Sequence, residues 1–448
     1  MARALGQHLV IEQPRLVVRH EEQVDEKGRN HLCAKAILVT DGYGRAVVCL
    51  PVSIVRYRYR VYPTASQRQA LVRVFGCVRV VFNDSLRLRQ NAHEAGEKLS
   101  DSEVQRRVVT LAKATPERVW LAEAPSVALV QACNDARRAY RNWFDSRSGR
   151  RKGRRIGRPK RRKKANRQSI RLTRNGFSLR GERLYVAKVG ELKVRWSRDL
   201  PSVPSSVTVV MEPDGRYYAS FVVEVADTPL PKVQRQAGVD LGLSTFATVA
   251  ATDGTTEKVE NPRHLRKAER RLAHAQKAMS RKQKGSANRN KARRRVAVLH
   301  RKVRDARADH AHKAALRLIR ENQAVHVEDL SIAGLGRTRV AKSVHDAGWG
   351  QFLRVLAEKA ARYGRAVTKV DRWFPSTRLC SVCGVLGGAK PLSVRQWRCD
   401  CGAVHDRDEN AARNILAAGQ AATACGGGVS PDLGPAVVGE AGTHRSAA

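Results

Sequence analysis

The 448-residue chain carries 85 Lys and Arg against 41 Asp and Glu, a formal charge of +44, with aromatic residues at only 5%. Such a length calls for several domains, and such a charge calls for a polyanion, of which nucleic acid is the expected one. No run approaches the ~18 apolar residues of a spanning helix and Met1 to Val10 lacks a signal-peptide core, so no membrane partner is expected and the chain reads as cytoplasmic.

Residues 1–52 form an N-terminal extension with short strand-like segments, Ala36-Ile37-Leu38-Val39 and Ala46-Val47-Val48, to which no chemistry is assigned. The run Arg56-Tyr57-Arg58-Tyr59-Arg60-Val61-Tyr62 then alternates as a strand with arginines on one face and is closed by Pro63. Thr64 caps a helix, with Gln67 as its capping-box partner. Helical spacing follows to about Phe144, with Leu71, Phe75, Val78 and Phe82 along one stripe and Val127, Val130 and Ala136 along a later one. This helical lobe, residues 65–168, ends in a basic linker from Arg150 to Lys164 in which eleven of fifteen residues are Lys or Arg, interrupted by Gly and Pro.

Val-rich strands dominate Ser169 to Pro231, with turns at Asn175-Gly176 and Pro213-Asp214-Gly215. They predict a small β-barrel made of 53–64 and 169–235, into which the helical lobe is inserted. At Gly238-Val239-Asp240-Leu241-Gly242-Leu243 a third region begins, two short strands around a tight turn. Leu265, Ala268, Leu272, Ala275 and Met279, then Ala292, Val296, Leu299, Val303 and Ala306, keep a 3,4 spacing either side of Gly285-Ser286 and predict an antiparallel helical hairpin. A strand at 324–328, a helix around 345–363, a strand at 366–370 and a helix from about Asp406 complete a mixed α/β region spanning 236–372 and 404–418. Residues 373–403 hold a cysteine ribbon, and the Gly, Ala and Pro-rich stretch 419–448 is expected to be disordered.

Three acids fall where strands or helices end beside one sheet: Asp240, Glu328 and Asp408. Most single aspartates are solvated strand ends. Asp240 is different, because the apolar residues on both sides imply burial, and a buried carboxylate needs a cation or a partner. Such a cluster suits two magnesium ions around a scissile phosphate. Cys380-Ser-Val-Cys383 and Cys399-Asp-Cys401 enclose an excursion of ribbon length and predict structural zinc, with His405 as a substitute ligand if the short second pair cannot close the tetrahedron. The other five cysteines are scattered singly and do not form a disulfide framework. Arg56, Arg58, Arg60, Arg154, Arg155, Lys160, Arg161, Arg281 and Lys282 are the expected nucleic-acid contacts, with Tyr57, Tyr59 and Tyr62 placed to stack on bases.

The stretches Tyr59-Arg60-Val61-Tyr62-Pro63-Thr64, Phe75-Gly76-Cys77-Val78-Arg79, Phe82-Asn83, Ser280-Arg281-Lys282-Gln283-Lys284-Gly285-Ser286, Val327-Glu328-Asp329-Leu330, Phe374-Pro375-Ser376-Thr377 and Asp406-Arg407-Asp408-Glu409-Asn410-Ala411-Ala412 together resemble the TnpB proteins of insertion sequences, relatives of type V CRISPR effectors. The resemblance implies a RuvC-like nuclease of RNase H fold, a wedge β-domain and a recognition lobe. It also implies Asp240, Glu328 and Asp408 as catalytic carboxylates, magnesium and zinc as cofactors, and a guide RNA and target double-stranded DNA as partners. Choosing Glu328 over Asp329, and Asp408 over Asp406, rests on the family motif. A type V CRISPR effector is the nearest alternative; a nuclease-inactive RNA-guided DNA-binding regulator and a strand-joining transposase are alternatives of other classes.

Overall fold

The computed structural model describes residues 16–17, 36–40, 46–151, 153, 155–164, 167–391 and 393–424, with backbone only before residue 52. Arg154 of the expected nucleic-acid set, and residues 425–448 of the expected tail, lie outside the described residues. Two compact units divide the chain, one running to Asp227 with Ala275–Val298 added, the other formed by Thr228–His274 and the chain from Leu299 onward.

The first unit is built on one antiparallel sheet. β1 (Leu16–Val17) pairs with β2 (Ala36–Thr40), and β2 with the start of β3 (Ala46–Tyr62), a 17-residue strand. The expected break near residue 52 therefore falls inside a continuous strand. Helices α1 (Ala65–Glu94), α2 (Asp101–Gln105) and α3 (Ser126–Arg147) follow, then β4 (Gln168–Thr173), β5 (Phe177–Arg180), β6 (Arg183–Val186), β7 (Gly190–Arg195), β8 (Ser206–Met211) and β9 (Tyr217–Ala226). The order β4-β8-β9-β3-β7-β6-β5 leaves β4 and β5 unpaired with each other, so the sheet is a barrel left open along one seam. Because β3 lies between β9 and β7, the helices are an insertion between strands of one sheet.

Thr64 starts α1 through the full capping box: its hydroxyl accepts from the Gln67 N–H at 3.3 Å, and the Gln67 side chain accepts from the Thr64 N–H at 2.9 Å. Leu71, Phe75, Val78 and Phe82 are buried as the spacing predicts. On α3 the buried stripe is Ala128, Leu129, Ala132, Cys133 and Ala136, so Val127 and Val130 sit at its edge and not in its centre. The basic linker is tied down: Asn83 exchanges two hydrogen bonds with the Arg162 backbone at 2.8 and 3.2 Å, while the Arg162 guanidinium lies 3.8 Å above the Phe82 ring and pairs with Asp135.

In the second unit, β10 (Gln236–Asp240), β11 (Thr245–Ala251) and β12 (Thr256–Glu260) form a meander; α4 (His264–Ser280) and α5 (Ala287–Glu321) form the hairpin, whose Ala275–Val298 portion is counted with the first unit. β13 (Ala324–Glu328), α6 (Ile332–Leu335), α7 (Ala341–Ala347), α8 (Trp349–Arg362) and β14 (Ala366–Val370) follow, then β15 (Gln396–Arg398), β16 (Val404–Asp406) and α9 (Arg407–Ala424). The sheet order is β12-β11-β10-β13-β14, with β10, β13 and β14 parallel, as in the RNase H fold. Two elements differ from expectation. The helix around 345–363 is divided at Gly348 into α7 and α8, and the last helix continues to Ala424, past the position at which the tail was expected to begin.

Alternation splits this sheet into two faces. Val239, Val325 and Val327 face a core completed by Ala315 and Ile319 of α5 and by Phe352 and Leu356 of α8. Gly238 and His326 face α9 instead. A Cβ on Gly238 would overlap the Ala412 carbonyl oxygen and lie 2.8 Å from Leu416 Cα, and a Cβ on Gly419 would overlap the His326 ring. At Gly238 strand and helix backbones thus meet with no side chain between them, and at Gly419 the helix backbone rests on the His326 ring.

Replacing Gly238 by Val should destabilise this unit by about 3 kcal/mol, because the clash is with helix backbone and no rotamer relieves it. Gly76 lies within α1 with nothing inside 4 Å of its would-be Cβ, so Gly76→Ala should stabilise by about 0.5–1 kcal/mol. Thermal melts followed by circular dichroism read both; a neutral Gly238→Val would refute the close-packing account.

Candidate active site

Asp240 ends β10 and Glu328 ends β13. The parallel register pairs Gly238 with His326 and Val239 with Val327. One further step sets Asp240 beside Glu328 on neighbouring strands about 4.8 Å apart, on the face that meets α9. Asp408 is the second residue of that helix. Burial pushes the Asp240 carboxyl up to about 7, and the charges of Asp408 and Glu328 add to the rise. Asp240 is therefore within electrostatic reach of both other acids. Glu328 is raised too, by burial and then by Asp329. Among the described residues no ion pair reaches Asp240 or Glu328, whereas Asp408 has Arg395 Nη1 3.5 Å from its carboxylate.

Their acidic neighbours are engaged elsewhere. Asp406 caps α9, accepting from the N–H groups of Asp408 and Glu409 at 3.0 and 3.1 Å and from Lys258 Nζ at 2.7 Å. Burial would raise its carboxyl, but Lys258 and the helix N–H groups outweigh that and hold it down. Asp329 is held down by Arg372 and Lys369. The geometry thus separates each motif acid from its sequence neighbour, a distinction that periodicity alone does not make.

Sγ atoms of Cys380, Cys383, Cys399 and Cys401 lie within 4.8 Å of one another, the only such ligand grouping among the described residues. Two sulfurs on zinc at about 2.3 Å each and a tetrahedral angle stand about 3.8 Å apart; Cys380–Cys401 measures 3.8 Å and Cys383–Cys399 3.7 Å. The shortened second pair reaches after all. His405 Nε2 lies 3.0 Å from Cys380 Sγ, with its ring against Trp397, in the position of a partner to the thiolate and not of a replacement ligand. Burial would raise the Cys380 thiol, but backbone N–H groups of Cys383 and Val382, with His405, hold it down to about 5.

Sequence reasoning gave Asn410 no role beyond its motif and did not single out Asn414. Both are buried on α9 and donate to the Ser376 and Leu379 carbonyls, at 3.3 and 2.7 Å from Asn410 and 2.8 and 2.7 Å from Asn414. The Asn410 side-chain oxygen accepts from the Ser381 N–H at 2.9 Å. Two polar residues one turn apart in an otherwise apolar stripe were the available signal.

Arg155, Lys160, Arg161, Arg281 and Lys282 are exposed, as is Arg56. Arg58 is bonded to buried Glu212 at 2.6 Å and lies over Tyr218, and Arg60 is half-buried beside the same ring. Tyr59 corrects the stacking expectation: it is 1% exposed, 4.7 Å from Trp196, because the tyrosine face of the alternating strand is the core face. Tyr57 is half-buried under Arg198, and Tyr62 is exposed. No helix among the described residues is long and apolar enough to cross a membrane.

Comparison with known proteins places this geometry. The OrfB, IS605-type family model described as "Probable transposase" matches residues 220–339, "Cas12f1-like, TNB domain" matches 349–415 and "Helix-turn-helix domain" matches 54–98. The last segment folds here as the end of β3 and the single helix α1. A Streptomyces pristinaespiralis protein named "Putative RNA-guided DNA endonuclease" is 46% identical over 380 residues, 84% of this chain and 92% of its own. An Escherichia coli K12 protein of the same description, InsQ, is 30% identical over 390 residues, covering 83% and 93%. Cas12f1, solved in complex with single-guide RNA and target DNA, shares the fold at 12% identity with a TM-score of 0.50, over 78% of this chain and 82% of that one.

Two measurements follow from the site. An acid whose carboxyl is raised by folding loses stability as pH climbs from its unfolded value near 4 through about 7. Asp240→Asn should therefore stabilise the protein at pH 8 in chelator by about 2–3 kcal/mol, with the gain vanishing near pH 4; a variant less stable at pH 8 would contradict the reading. For the ribbon, elemental analysis should find about one zinc per chain and little in Cys401→Ser.

Proposed function

We propose, on the premise that the chain belongs to the TnpB family, that it is an RNA-guided endonuclease cutting double-stranded DNA at the corner formed by Asp240, Glu328 and Asp408. The observation that carries this is the convergence of Glu328 and Asp408 on Asp240, whose carboxyl burial and then the charges of Asp408 and Glu328 lift to about 7. A group so perturbed, among acids that are otherwise paired, marks a place where a cation belongs.

The donor set fits magnesium, a hard ion that takes carboxylate oxygens and keeps its remaining waters. When bound, a pair of such ions polarises the scissile phosphate and offsets the charge that develops on the attacking and leaving oxygens. Asp240 and Glu328 hold the ions from adjacent strand ends, a rigid base that varies little in spacing. Asp408 approaches from α9, and Arg395 beside it offers a guanidinium to phosphate oxygens at the same rim.

The remaining parts take roles consistent with their charge and shape. Residues 53–64 and 169–235 act as the wedge domain and 65–168 as the recognition lobe, gripping the guide RNA and its heteroduplex by backbone and geometry while base pairing reads the target. Residues 236–372 with 404–418 form the nuclease and 373–403 the zinc ribbon. The match to an insertion-sequence family model favours a transposon-encoded protein over a CRISPR effector. Retention of all three acids argues against a nuclease-inactive regulator.

Purified protein should carry a defined RNA and should cleave a plasmid matching that RNA in magnesium but not in chelator. Asp408→Ala should abolish cleavage and leave RNA and target binding nearly unchanged. Cutting retained by that variant would remove Asp408 from the site, and the absence of any defined RNA would remove the guided mechanism.

A further inference from the structure

Trp373 is 84% exposed, more than any other large hydrophobic side chain among the described residues. Its position is nonetheless fixed. The Asp371 carboxylate accepts from the Trp373 N–H at 2.8 Å, the Asp371 carbonyl accepts from the Phe374 N–H at 3.1 Å, and the Phe374 carbonyl accepts from the Ser376 N–H at 2.8 Å. Ser376 is in turn held by Asn410 and Asn414 of α9. The indole therefore stands out from a hydrogen-bonded turn anchored to the helix that bears Asp408.

Its place in the sheet is specific. Val370 pairs in register with Glu328, and Trp373 follows three residues later, a span of at most about 10 Å. The residue before it, Arg372, joins Lys369 in pairing with Asp329, which follows Glu328 in the chain. Among the described residues no other ring packs on it, and a polar solvent is a poor setting for so large an apolar face.

We propose that Trp373 is a stacking platform for a nucleobase of the strand presented to the acid corner. The occupant follows from the charge of the chain, which calls for a polyanion, and from continuity with the candidate site; a base has a π-face, is carried on phosphate, and stacks on an aromatic ring whatever its identity. The platform would fix the nucleotide flanking the scissile phosphate, so that its contribution is to positioning and not to the chemistry. This inference deepens the nuclease reading and rests on it for the identity of the strand.

Two measurements on the purified protein–RNA complex separate the inference from that reading. In the first, oligothymidylate is titrated in chelator while tryptophan fluorescence is followed, with Trp373→Phe as the control. Quenching should be present in the unaltered protein and largely lost in the variant. In the second, single abasic sites are scanned along the target strand near the cut. One position should slow cleavage about tenfold in the unaltered protein. At that position Trp373→Ala, itself about tenfold slower, should show no further loss. Quenching with this non-additivity supports the platform. Quenching without any cleavage also supports it while removing the nuclease reading. Equal quenching in Trp373→Phe, or cleavage by Trp373→Ala with an undiminished abasic effect, overturns it and leaves the nuclease reading intact; an indole that binds a protein partner instead gives that same result.

Discussion

Everything about the candidate site depends on the direct seating of α9 on β10. The sheet supplies Asp240 and Glu328 by register alone, but Asp408 comes from the far end of the chain and reaches them only because Gly238 offers no side chain where the Ala412 and Leu416 backbone passes. Gly419 repeats the device against His326 farther along the helix. These two close approaches set the height at which the helix lies over the sheet. His326 can serve as the second seat because it stays uncharged: burial lowers it to about 4, its Nδ1 meets Thr368, and its Nε2 lies 3.1 Å from Gln236.

Electrostatics sets Asp240 and Glu328 apart from their acidic neighbours. In a chain of charge +44 basic partners abound, and the acids next in sequence to the motif acids have them: Asp329 has Arg372 and Lys369, and Asp406 has Lys258 and the helix amides. Asp240 and Glu328 stand in the same protein without such pairs. Each unit by which folding raises a carboxyl costs about 1.4 kcal/mol at high pH, and a fold keeps such a cost where something outside the chain relieves it. A divalent cation is a partner of the kind that relieves it.

How much of this was legible in the sequence follows from what periodicity measures. Alternation at 56–62 identifies a strand, and the 3,4 spacing of Leu265 to Met279 identifies a helix, because burial on one side of either element imposes its period. The capping box at Thr64 was readable because its atoms are all local. What period does not say is which face is the core: the tyrosines of β3 looked like a stacking surface beside exposed arginines, and Tyr59 is instead among the most buried residues. The stripe on α3 was misjudged because alanine packs as well as valine where helices come close, so Ala128 and Ala132 carried no visible signal. Meetings between distant segments, Asp406 with Lys258 or Asn410 with Leu379, have no sequence signature at all.

The ribbon and the acid corner are then one mechanical assembly. β16 carries His405, which meets Cys380, and ends at Asp406, which caps α9 and so sets the first turn in which Asp408 lies. Arg407 reaches back to the Pro391 carbonyl at 2.8 Å, and Asn410 and Asn414 hold the loop that leads into Cys380. A small ribbon with only Cys380, Trp397 and Cys399 as its buried core has too little apolar surface to hold this shape unaided. Four cysteines whose sulfurs are spaced as zinc ligands are the cross-link available to it. Through these contacts the cysteine ribbon fixes the start of the helix that carries Asp408.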